Sequence, residues 1–165
     1  DQQELIHCKG FHLDGTPEVA TSLGLHYFHP KYWFFDVNVN YFTNTYLDFN
    51  PLRRTDKAIA GLNPAVEADA VLIDRITRQE RLNGGVTVDA SIGKSIRIDY
   101  KYYLNINLSA TNILNNRTLK TGGYEQSRFS TINSNTGRAT YLDRFPPKYF
   151  YAYGATIYLN VGFRF

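Results

Sequence analysis

Methionine is absent, and cysteine and tryptophan occur once each, as Cys8 and Trp33, among 165 residues. A lone cysteine excludes a disulfide within the chain and leaves the redox compartment open. No run of about eighteen apolar residues occurs, which excludes a membrane-spanning helix. There is no initiator methionine and no signal-like apolar segment near Asp1, so the expectation is a processed chain or a piece of a longer one. The net charge of +3 is spread along the chain without a basic run, which argues against a nucleic-acid partner or an anionic-membrane footprint. No serine nucleophile elbow, HExxH pair or phosphate-cradling glycine loop occurs, and no enzymatic activity is expected. His7, Cys8 and His12 lie close together but fit no standard zinc spacing, so no metal or other cofactor is expected. His26 and His29 flank a tight turn, and solvation of that turn accounts for them.

What the chain does have is aromatic and β-prone: thirteen Tyr and eleven Phe, with 43% hydrophobic and 20% charged residues. The length suits a single domain. Apolar residues alternate with polar ones over five stretches: Val19 to Tyr27, Trp33 to Phe49, Val86 to Ile98, Tyr102 to Leu114 and Tyr149 to Phe165. Period two sustained this long predicts β-strands with two different faces. The apolar phase carries one charge, Lys94, whereas the opposite phase carries Glu18, Asp36, Asp48, Asp89, Arg97 and Arg164. The second and fifth stretches predict strands of roughly 55 Å, longer than a tilted membrane strand needs.

Connections alternate between short ("HPKY", "DYK") and long (Asn50 to Asn83, Asn115 to Lys148). Outer-membrane barrels show this rhythm, with short periplasmic turns and long external loops, which would place the C-terminus in the periplasm. Within the first long connection, Asn63 and Pro64 predict the start of a short helix with Leu72 and Ile76 on one face. Five strands and part of a sixth cannot close a barrel, and open edges in lipid leave costly unpaired backbone groups. The fold class expected is therefore all-β: an antiparallel transmembrane barrel segment whose remaining strands lie outside these residues. Two alternatives are weaker: a small eight-stranded barrel or binding and adhesion module without import activity, and a soluble sandwich whose second sheet is not visible in the sequence.

The stretches "LGLHYFHPKYWFFDVNVNYF", "DFNPLRRTDKA", "VTVDASIGKSIRI", "NLSATNILNN", "TGGYEQSRF" and "FPPKYFYAYGATIYLNVGFRF", in this order, resemble the C-terminal barrel segment of Bacteroidetes-type TonB-dependent outer-membrane receptors, SusC-like or related. The resemblance implies the last five to six strands of a barrel of about 22 strands. It further implies import of a bulky nutrient such as a glycan, peptide, siderophore or cofactor. The implied partners are outer-membrane lipid, the rest of the barrel and its plug, TonB acting through an N-terminal part, the barrel-assembly machinery and a SusD-like surface lipoprotein. No plug and no TonB box occur in these residues. The terminal aromatics Phe163 and Phe165 match the family's assembly signal.

Candidate residues follow from the two faces. Ile157, Leu159 and Val161 belong to the lipid phase. Tyr149, Tyr151 and Tyr153 read as an outer aromatic girdle, with Phe163 and Phe165 its counterpart, and Lys94 as a lysine snorkelling near the periplasmic end. Asp36, Asp89 and Arg97 project into the lumen as substrate or plug contacts, or as paired wall groups. Arg53 and Arg54 offer a carboxylate clamp, or anchor the loop through acids such as Asp56. Tyr124, Glu125 and Arg128, beside two glycines, have the composition of a sugar- or peptide-binding loop.

Overall fold

The computed structural model describes residues 4–126 and 146–165. It is mostly antiparallel β-sheet, with one α-helix among the described residues and no helix there that is long and apolar enough to cross a membrane. The chain divides into two compact units, one of which has a small core of its own drawn from the first long connection.

The first unit to consider is a single five-stranded sheet, formed by β1 (Val19–His29), β2 (Trp33–Thr43), β5 (Gly85–Ile98), β6 (Tyr102–Thr111) and β9 (Thr156–Arg164). These strands neighbour one another in that order, every pair antiparallel. The register keeps the two phases in step across all five. Phe35 faces Ile92, Ile92 faces Leu108 and Leu108 faces Leu159; one residue along, Phe34 faces Gly93, Gly93 faces Asn107 and Asn107 faces Asn160.

Both short turns lie at the same end of the sheet. In the first, the Tyr32 N–H donates to His29 O, Pro30 supplies the fixed φ that starts a turn, and Tyr32 takes φ 61°. In the second, Lys101 N–H donates to Ile98 O across Asp99 and Tyr100, both with positive φ, as in a type I′ turn.

The two longest predicted strands are each cut in two. Asn44 adopts φ 57° after Thr43, a conformation asparagine tolerates better than most residues. The alternation resumes in β3 (Thr45–Tyr46), which pairs with β4 (Arg81–Leu82) in a separate two-stranded sheet. At the other end, β8 (Lys148–Tyr151) joins β7 (Lys120–Tyr124), and residues 152–155 separate it from β9. Gly154 fits there because a Cβ would strike the Arg117 and Asn115 side chains. The sheet strands that remain hold nine to fourteen residues.

The second unit collects residues 4–16, 45–82 and the described part of 121–150. Its helix α1 runs Glu67–Thr77, not from Pro64: the Asn63 side chain caps a preceding turn by accepting from Ala65 N, while Asp69 accepts from Asn63 N. Ile76 and Leu72 do share a face, packing with Ala58, Ile59 and Leu62.

Candidate functional site

Within the second unit the construction centres on Arg54. Asn50 caps a short 3-10 helix, Pro51–Arg54, by accepting from Leu52 N, and this turn points the Arg54 side chain inward. Its guanidinium is 0% exposed and all five N–H groups are used. Nε donates to Thr77 O (3.0 Å), Nη1 to Asn50 O (3.1 Å) and Nη2 to Arg78 O (2.8 Å), while Nη1 and Nη2 together grip the Glu125 carboxylate. The Phe11 and Phe49 rings, edge to face with each other, lie 5.4 and 5.7 Å from the guanidinium carbon. Glu125 also accepts from Asn50 N, so the pair ties the first long connection to the second.

Arg54 and Glu125, both substrate candidates in the sequence, form this buried pair with each other. The acid expected beside Arg54, Asp56, bonds to His7 at 2.6 Å. Arg53, itself buried, lines a cleft of about 350 Å³ with Arg75, Arg78, Glu80, Glu125 and Pro147. Tyr124 stays exposed, its ring 6.1 Å from that of Phe150. Arg128 lies outside the described residues. The His12 ring stacks on Tyr46 at 4.0 Å.

Asp48 shares this unit with Asp14 and Glu125. Desolvation of its carboxyl, then the negative charges of Asp14 and Glu125, push its pKa above the ordinary 3.8. The Phe49 N–H, donating to the carboxylate, opposes them in part.

On the sheet, the polar face is a hydrogen-bonded surface. Asp36 accepts from Ser91 Oγ (3.0 Å) and pairs with His26, its register partner. That pairing, rather than turn solvation, places His26; His29 does serve its turn, by accepting from Lys31 N. Asp89 accepts from Asn40 Nδ2 and from Asn112 N, both at 2.8 Å. Arg97 donates to Tyr100 O and lies over the Tyr100 and Tyr103 rings at 4.9 and 5.7 Å.

The opposite face is apolar and open. Leu23, Leu25, Tyr27, Ile92, Leu108, Ile157, Leu159, Val161 and Phe163 are all exposed, Leu23 at 75% and Ile157 at 69%. Lys94 sits 4.5 Å over the ring of Trp33, its register partner, and Tyr102 stacks with Phe163 at 5.7 Å. Phe165 follows β9 and is 93% exposed. Of the tyrosines expected as an outer girdle, Tyr149 and Tyr151 belong to β8, where the Tyr149 hydroxyl donates to Glu80, and Tyr153 lies in the connection before β9. Alternation alone could not reveal that break, since Tyr149, Tyr151 and Tyr153 keep the same phase as β9.

Compared with known protein families, curated proteins and solved structures, the chain matches none.

Proposed function

We propose that this chain is barrel wall and loop from a TonB-dependent outer-membrane receptor that imports a bulky nutrient. One observation carries the reading: a five-strand apolar face, in register throughout, exposed and bearing Lys94 as its one charge. A soluble protein rarely exposes a continuous apolar surface on this scale. In a bilayer the same surface is the favourable one.

Dimensions support this. Strands of nine to fourteen residues bracket the roughly nine to eleven that a tilted transmembrane strand uses. The β5 face from Val86 to Ile98 measures about 40 Å along the strand, or about 28 Å across a bilayer at a tilt of roughly 45°, close to the apolar band of about 25 Å. The short turns gather at one end, which in this reading is periplasmic, and the long connections leave from the other. The open edges of β1 and β9 would pair with strands of the remaining barrel, whose folding depends on the barrel-assembly machinery. Plug, TonB and a SusD-like lipoprotein would act through parts beyond these residues.

The test is fractionation of the native cell followed by intact mass and peptide mapping. The expected result is a carbonate-resistant outer-membrane protein far heavier than the 18.9 kDa of this chain, with peptides continuing N-terminal to Asp1. A soluble protein, or a mature mass of 18.9 kDa, would overturn the receptor reading.

A further inference from the structure

Asp36 and Asp89 on the polar face accept from groups within the sheet, whereas the cations at its short-turn end form no ion pair among the described residues. These cations, Arg97, Lys101 and Arg164, are exposed. The register sets Arg97 opposite Tyr103 and Tyr103 opposite Arg164, so the two arginines flank one tyrosine. Their backbones are two strand spacings apart, about 10 Å. Lys101 closes the turn beside them.

Two clefts meet at that tyrosine. One, of about 460 Å³, is lined by Lys101, Tyr103, Asn105, Arg164 and Phe165; the other, of about 120 Å³, by Tyr32, Ser95, Arg97 and Tyr103. Arg97 is held in place by the Tyr100 carbonyl and by the two rings, which fixes where its charge is presented. The surface thus offers fixed positive charge, an aromatic platform and, through Asn105, an amide.

We propose that this end of the polar face docks an acidic polypeptide segment, with carboxylates on either side of the Tyr103 ring. In an extended chain, side chains on one face recur about every 7 Å. Two basic side chains whose origins lie about 10 Å apart can meet such a pair of carboxylates. Charge complementarity selects the occupant, and Asn105, whose side-chain oxygen accepts from Ser95 Oγ, presents its amide N–H groups to the carbonyls of an extended segment. The inference concerns the polar face alone and holds whether or not the opposite face meets lipid.

The experiment uses the whole protein purified at its native length in zwitterionic detergent, with anisotropy of fluorescein-labelled hexaglutamate and hexaglutamine as probes. Hexaglutamate is expected to bind and hexaglutamine not to bind. Replacing Arg97, Lys101 and Arg164 together by Gln should weaken hexaglutamate about tenfold at low salt, from three surface charge pairs. The charge-keeping pair Arg97→Lys and Arg164→Lys should retain most of the binding, and Arg164→Gln alone should give a partial loss should the triple variant not fold. Equal binding by wild type and Arg164→Gln would overturn the proposal. So would displacement of hexaglutamate by inorganic phosphate beyond that of chloride at matched ionic strength, which would mark the surface as a small-anion site.

Discussion

Single residues in this molecule show which positions the fold has settled and which it leaves under tension. Asp48 is of the second kind. Its carboxyl pKa is raised in the folded unit, so the fold favours the protonated form. The associated stability is present below the ordinary carboxylate range and is lost as pH rises through the raised value. Asp48→Asn should therefore raise the urea midpoint at pH 7, and the advantage should shrink as pH falls towards 3.8. Urea titrations of both proteins in detergent at several pH values check this; an advantage that grew on acidification would contradict the cause given. Gly93 is a settled position. The Phe34 ring of the neighbouring strand lies where a Cβ at residue 93 would be. Gly93→Ala must push that ring aside and is expected to cost about 1–3 kcal/mol, measured as a lowered unfolding midpoint.

At the scale of an element, β9 gives the sharpest contrast between the two faces. Leu159 is 66% exposed on the apolar face, and Asn160, the next residue, is on the polar one, opposite Asn107. A charge at the lipid midplane costs about 2–4 kcal/mol. On the outer-membrane reading proposed above, Ile157→Arg or Leu159→Arg should block membrane assembly, seen as loss of a heat-modifiable folded band, while Thr156→Arg or Asn160→Arg should assemble. Like behaviour of the two sets would mean the faces are wrongly assigned. This contrast was legible in the sequence because side-chain phase is set by the chain itself. Strand ends were not: Thr45 and Tyr46 continue the phase of β2 past Asn44, and Tyr149 and Tyr151 anticipate that of β9, so only backbone geometry separates them. The Arg54–Glu125 pair was hidden for a different reason. Asp56 is nearer in sequence than Glu125, and nothing local tells the guanidinium to turn inward.

For the molecule as a whole, the division into two units makes a prediction that neither residue patterns nor strand pairing alone would make. The sheet is held by ladders along five strands, whereas the second unit gathers a small apolar core about Ala58 and Ile76 together with the fully buried Arg54. Removing one member of a buried ion pair leaves the charge of the other uncompensated, at about 3–5 kcal/mol. Arg54→Ala should do this to Glu125 and also release the carbonyls of Asn50, Thr77 and Arg78. Its effect should stay local: hydrogen exchange should quicken across residues 50–82 while β1, β2, β5, β6 and β9 keep wild-type protection. The double variant Arg54→Met with Glu125→Leu, which removes both charges, should recover part of the lost protection, because no buried charge is left unpaired. Exchange that quickened equally in both units of Arg54→Ala would mean that they fold as one cooperative body, and that Arg54 supports the sheet as well as the loops.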